Sequence, residues 1–239
     1  MKALAIYAGP KAKQHLATHG LSASDVGVIP AAAGGPKGLI LGPLDRFMFN
    51  EWLTTSQQSI DLVGASIGAW RMATACLPES RAGLLRLEHD YIHQHYELKP
   101  GEKFPSAQQV SDSFRENLDL FYGGFVKTPL NHSRFRLHVL TSRGKGLLRR
   151  EHPVLSPLGY GGAFLSNLIS RKAMGASLER VVFSSAGQLP FGTRDYATRQ
   201  LPLTSSNFMD VLQASCAIPF VLKAVHDIEG APRGAYWDG

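Results

Sequence analysis

An α/β fold built on a mainly parallel sheet is what this 239-residue sequence predicts, and three features predict it. Short apolar runs of strand length recur along the chain, the first two open onto glycine-bearing turns, and apolar residues at helical spacing follow each turn. Strands alternating with helices favour parallel pairing, because the crossover helix returns the chain to the same end of the sheet. Hydrophobic residues make up 44% of the chain and charged residues 18%, which excludes a disordered segment or a coiled coil, both far richer in charge. With no internal repeat, low-complexity tract or linker, residues 1–239 read as one domain.

At the start, residues 3–9 behind Lys2 form an apolar run that Pro10, Lys11 and Lys13 end short of a useful secretory leader. Val26-Gly27-Val28-Ile29 reads as a buried strand ending in Ala31-Ala32-Ala33-Gly34-Gly35-Pro36-Lys37-Gly38. Ile40, Leu44, Phe47 and Met48 then fall at helical spacing, with Gly42-Pro43 kinking or restarting the helix. A second run, Ile60-Asp61-Leu62-Val63, leads into Gly64-Ala65-Ser66-Ile67-Gly68. Beyond it Ala69, Met72, Ala73, Cys76 and Leu77 make one helical stripe that Pro78 stops. Residues 80–98 look helical and half-polar, whereas 99–134, rich in Gly, Pro, Ser and Asn with scattered aromatics, read as a cap or surface excursion. Residues 135–140 alternate apolar and basic like a strand, 181–183 form another, and 210–218 form a helix stopped by Pro219.

Lys and Arg number 25 against 19 Asp and Glu, and the net charge of +6 favours anionic partners, either lipid headgroups or nucleic acid. Interleaved aromatics or a recognition motif would mark a nucleic-acid binder and neither is present, so no nucleic-acid partner is expected. The longest apolar runs fall well short of the ~20 residues of a membrane span. Cys76 and Cys216 are too few for a disulfide scaffold and sit in apolar stretches, which points to buried thiols and a reducing, cytoplasmic compartment.

Chemistry concentrates at Gly64-Ala65-Ser66-Ile67-Gly68, a G-x-S-x-G pattern. A serine on a tight strand-to-helix turn needs neighbours without bulk, and the helix that follows brings its positive end to the charge formed when the serine attacks a carbonyl. The glycine loop at 34–38 also joins a strand to a helix. Its backbone N–H groups around Gly34, Gly35, Lys37 and Gly38 suit an oxyanion hole, with Lys37 adding positive charge or bracing the loop. Neither the P-loop spacing nor the dinucleotide spacing is present.

These residues resemble the patatin-like acyl hydrolases, related to the catalytic domain of cytosolic phospholipase A2. The likeness rests on Gly34-Gly35-Pro36-Lys37-Gly38, Gly64-Ala65-Ser66-Ile67-Gly68, Ala214-Ser215-Cys216-Ala217-Ile218-Pro219-Phe220 and Asp238-Gly239, in the family's order. The resemblance implies a three-layer α/β/α fold and a Ser-Asp dyad with Ser66 as nucleophile and Asp238 as base. It also implies a lipid ester substrate, transient contact with a membrane surface and no metal or organic cofactor. Tyr236-Trp237 reads as a short apolar strand delivering the carboxylate, which burial would make more basic. Two departures stand out: Ala33 replaces the first of three loop glycines, and the chain stops at Gly239 where the family continues, which implies truncation at the C-terminal end.

Rival constellations exist. A Ser-His-Asp triad would use His226 with Asp195 or Asp210. His89-Asp90-Tyr91-Ile92-His93 has zincin-like spacing, with His95 or Glu97 as a third ligand, although a solvated helix face explains the same residues. Ser142-Arg143-Gly144-Lys145 matches S-x-x-K, but Gly144 breaks the helix such a dyad needs. Arg143, Lys145, Arg149 and Arg150 around Leu147-Leu148 form a basic patch suited to anionic headgroups, or else a solvated loop. Phe114, Phe121, Tyr122 and Phe125 are expected to line an acyl groove. The expectation is a serine hydrolase of fatty acyl esters of lipids, phospholipase A or lysophospholipase in type. A His226-dependent esterase and a non-catalytic lipid-surface module are the alternatives.

Overall fold

One sheet organises the chain in a computed structural model that describes residues 5–98 and 101–239. Its main path runs in the order β1 (Val28–Ala31), β2 (Ile60–Ala65), β3 (Phe135–Gly144), β4 (Leu178–Ser184) and β5 (Thr198–Pro202). Three of those four pairings are parallel; β3 and β4 are antiparallel. A short β6 (Val225–His226) and β7 (Ala235–Asp238) join antiparallel, with β7 lying along β3. Helices flank the sheet: α1 (Pro10–His19), α2 (Gly42–Phe47), α3 (Ile67–Ala75), α4 (Ser80–Ile92), α5 (Ala107–Tyr122), α6 (Lys127–Leu130), α7 (Leu155–Ile169), α8 (Arg171–Met174) and α9 (Phe208–Cys216). The expected α/β class, with a mostly parallel central sheet between helices, is what the chain adopts.

Strand alternation explains where the core lies. Leu62, Leu137, Val139, Val181 and Phe183 point to one face and pack with α3, α5 and α9, whose buried residues include Met72, Phe114, Leu118 and Phe208. α3 is buried along its whole length, as a helix crossing directly over the central strands must be. The opposite face carries a polar row: Asp61 holds Arg136 through two bonds of 2.7 and 2.8 Å and meets His138 Nε2 at 3.0 Å, while His138 Nδ1 meets Ser184 Oγ at 2.8 Å.

Several boundaries differ from the sequence reading. The first strand spans Val28–Ala31, two residues later than expected, because a 3-10 turn at Ala23–Asp25 leads into Val26 and only the Gly27 carbonyl joins the ladder, accepting from the Asp61 N–H at 2.9 Å. After the glycine loop, one helix is replaced by a 3-10 segment (Gly35–Leu41), α2 and a π turn (Met48–Trp52). Ile40 and Phe47 of the expected stripe are exposed. Residues 99–134 are no mere excursion, since they contain the 16-residue α5, and only 99–100 lie outside the described residues. Phe114, Leu118, Phe121 and Tyr122 recur at helical spacing there, and the Ser106 hydroxyl caps the helix by accepting from Gln109 N–H at 3.2 Å. Gly- and Pro-rich flanks masked that period. Among the described residues no helix is long and apolar enough to cross a membrane.

Candidate active site

Ser66 sits between β2 and α3 at φ 55°, ψ −130°, a conformation that a side-chain-bearing residue adopts only where its surroundings enforce it. The enforcement comes from the flanking glycines. A Cβ on Gly64 would lie 2.4 Å from Ala69 Cα, and one on Gly68 would lie 2.1 Å from the Ala31 carbonyl oxygen. The G-x-S-x-G spacing is therefore a steric necessity of this turn, and Gly68 also presses the start of the glycine loop against the first turn of α3. Ser66 N–H donates to Ser215 Oγ at 2.9 Å, and Ser215 Oγ donates to the Leu140 carbonyl at 2.7 Å. The Ser66 amide is thus spoken for. Ile67 N–H, at the first position of α3, has no intrahelical acceptor and belongs to the positive end of that helix.

Asp238 reaches the same place by register. β3 pairs Leu140 with Ala65 of β2 and the next residue, Thr141, with Asp238 of β7. Along one edge of β3, β7 takes over where β2 stops, so the residue after Ala65 and the last residue of β7 meet at that junction. The Asp238 N–H donates to the Ala217 carbonyl at 3.1 Å, and a Cβ on Gly239 would lie 2.4 Å from the Leu140 oxygen, which accounts for glycine after the aspartate. Burial pushes the Asp238 carboxyl up to about 6, with the Ser66 hydroxyl and the Gly239 N–H drawing it back down. Its Oδ1 is buried without a hydrogen-bond partner. Cys216 adjoins both groups; burial first, then the charge of Asp238, keeps its sulfur a neutral thiol. Cys216 and Cys76 are both free and buried.

A cavity of about 250 Å³ opens beside Ser66. Trp70, Tyr91, Val110, Phe114 and Leu222 make its walls largely apolar, and Gly35 forms part of its rim. Gly35 is the loop residue that lines this cavity together with the serine, held at φ +53° as glycine readily is. The other expected loop residues have different surroundings. Lys37 N–H donates to the Gly34 carbonyl at 3.2 Å and so closes the turn, while Gly38 packs under Ile67, where a Cβ would come within 2.7 Å of its side chain. Beneath them a buried pair, Arg71 to Asp45 at 2.6 and 2.7 Å, ties α3 to α2.

Of the four aromatics expected in an acyl groove, Phe114 alone lines this cavity. Phe121 and Phe125 border a separate hollow beside Leu77 and Arg86, and Tyr122 is fully buried with its hydroxyl 2.8 Å from Thr74 Oγ1. Gln94 and Tyr96, from the chain just beyond α4, line the cavity instead and carried no distinctive pattern in the sequence.

The rival constellations are engaged elsewhere. His226 is exposed on β6, its Nε2 accepting from Glu151 N–H at 3.4 Å; Asp195 pairs with Arg180 and Asp210 with Arg115. His89 near the end of α4 and His93 just past it are exposed and stack on each other with centroids 4.2 Å apart, and no group of three potential metal ligands occurs among the described residues. Ser142 lies within β3, and Lys145 Nζ donates to the Gly175 carbonyl. Half of the expected basic patch is neutralised: Arg143 pairs with Glu179 and Arg150 with Asp227, while Leu148 is buried. A Ser-His-Asp chain that the sequence did not reveal does exist, in Ser184, His138 and Asp61. It lines neither of the two cavities described above, its carboxylate is already neutralised by Arg136, and Gln200 Nε2 donates to Ser184 Oγ at 3.0 Å, so it serves as a buried cross-strand brace.

Known proteins give this chain no counterpart: no family model, curated protein or solved structure matches it.

Proposed function

We propose that this chain is a serine acyl hydrolase of patatin-like type that cleaves fatty acyl esters of lipids, in the manner of a phospholipase A or lysophospholipase. One observation carries the reading: a strained elbow serine and a carboxylate raised to about 6 meet at a strand junction beside an apolar cavity. Asp238 takes the Ser66 hydroxyl proton as Oγ attacks the acyl carbonyl. The developing oxyanion is held by the Ile67 N–H at the start of α3 and by the Gly35 N–H of the loop. Protonated Asp238 returns its proton to the leaving alcohol; a water that gives its proton to the same carboxylate then hydrolyses the acyl-enzyme, releasing the fatty acid and restoring Ser66. The scheme uses neither a metal nor a cofactor. Two buried free thiols favour a reducing compartment, the cytoplasm.

Fluorophosphonate labelling with the modified peptide mapped by mass spectrometry tests this. Labelling at Ser66, abolished by Ser66→Ala, reduced about 100-fold or more by Asp238→Asn and indifferent to His226→Ala, is the expected pattern. An unlabelled wild-type chain overturns the hydrolase in favour of a non-catalytic lipid-binding module. Labelling that needs His226 overturns the dyad.

A further inference from the structure

α7 is a helix turned inside out. Its small residues Ser156, Gly159 and Ala163 face the protein, while Leu158, Phe164, Leu165, Leu168 and Ile169 are 62 to 86% exposed on the other side. A surface helix of a globule ordinarily buries its large apolar residues. The inversion is enforced by packing, since a Cβ on Gly159 would come within 2.7 Å of the Leu148 side chain beneath it.

Charge and continuity say what covers this face. Between Asp119 and Glu179 the sequence holds a single acidic residue, Glu151, and that one is held by Lys223 at 3.0 Å. Arg149 and Lys172, exposed before and after α7, have no ion-pair partner among the described residues. Tyr160 of α7 packs edge-on against Trp237, the neighbour of Asp238, at 5.9 Å and against Phe220 at 5.8 Å. Phe220 is exposed and held at φ +70°, a costly conformation for a bulky residue; beside it Ile218 and Val221 are exposed at the lip of the cavity. One apolar surface thus runs from α7 to the cavity mouth.

We propose that this face docks on an anionic lipid surface, with the large side chains of α7 and Phe220 at the acyl boundary and Arg149 and Lys172 against headgroup phosphates. A second copy of the chain is the poorer occupant, because a two-fold contact would set like charges against each other in a chain of net charge +6. The proposal takes from the acyl-hydrolase reading only the position of the cleft, and its test reads binding without turnover.

Co-sedimentation of the full chain with vesicles of phosphatidylcholine alone, and of phosphatidylcholine and phosphatidylglycerol in equal parts, decides the matter. Binding to the mixed vesicles, weakened by salt, is expected. The double variant Leu165→Asp/Leu168→Asp should lower partitioning at least about tenfold, and Arg149→Glu/Lys172→Glu should reduce it to the level on phosphatidylcholine alone. Leu120→Asp, at a site equally exposed on α5, should bind as wild type, and unchanged unfolding midpoints show that all variants are folded. Absence of binding to mixed vesicles overturns the proposal, as does undiminished binding by Leu165→Asp/Leu168→Asp. So does a concentration-dependent dimer, seen by sedimentation velocity, that this double variant abolishes while the wild type ignores vesicles.

Discussion

Replacing Asp238 by Asn removes one charge at nearly constant shape and separates the two things that carboxylate does. The folded protein holds its proton up to about pH 6, against an ordinary value of 3.8, because burial disfavours the anion. At 1.36 kcal/mol for each tenfold change in proton affinity, keeping the anion in place at neutral pH lowers stability by at most about 3 kcal/mol. The sign follows from proton binding: between pH 4 and 6 the folded chain retains a proton that the unfolded chain has lost, so this contribution to stability is present at low pH and disappears as pH rises through 6. Asp238→Asn should therefore flatten that slope and, at pH 7 to 8, raise the melting temperature by up to about 6–12 °C, while serine labelling collapses. Thermal unfolding by circular dichroism at a series of pH values, with labelling rates on the same samples, reads both. Wild-type labelling should be half-maximal near pH 6. An Asn variant with an unaltered pH slope, or one less stable than wild type at pH 8, refutes the claim that a buried carboxylate with one unpartnered oxygen lies beside Ser66.

Three further outcomes follow from contacts around the elbow. Gly68→Ala pushes a methyl into the Ala31 carbonyl and should destabilise by about 1–3 kcal/mol, with loss of Ser66 labelling in the fraction that remains folded; native-like labelling would dismiss the steric account of the turn. Ser215→Ala leaves the Ser66 N–H and the Leu140 carbonyl without their shared partner, so urea unfolding should show a loss of about 1–3 kcal/mol and labelling should slow; a change within error would mean that the bridge is dispensable. Phe114→Ala should lower stability by about 3–5 kcal/mol and shift acyl-ester preference toward bulkier chains, whereas an unchanged chain-length profile would place the acyl group outside this cavity.

What the sequence disclosed depended on whether a physical requirement was local. Gly64 announces the elbow because its clash, with Ala69, arises within five residues of Ser66, whereas the clash that requires Gly68 is with the distant Ala31 carbonyl and shows in sequence only through the local G-x-S-x-G pattern. The apolar run at 60–63 became β2 because a strand in the middle of a sheet is buried on both faces and has no alternation to misread. α5 was missed because its period is interrupted by polar residues and lies between Gly- and Pro-rich flanks, although Val110, Phe114, Leu118 and Phe121 were there to be counted. The loop residues Gly34, Lys37 and Gly38 could not be told apart by pattern, since only folding against Ile67 separates the glycine that packs from the one that faces the cavity. Gln94, Tyr96 and the Asp61–His138–Ser184 brace depend on long-range pairing and left no trace in any window of sequence. Nor did the basic patch at 143–150 disclose that Glu179 and Asp227 would neutralise half of it.

The junction on β3 has a temporal meaning. Ser66 and its helix are complete early in synthesis, but the edge position beside Leu140 and Thr141 stays vacant until β7 has been made and has docked antiparallel against β3. Pairing across so long a stretch of chain is slow to form compared with a local turn. Under the proposed Ser-Asp scheme, a nascent polypeptide therefore holds Ser66 without its base until β7 has docked, and a chain released before that point would lack the proposed activity.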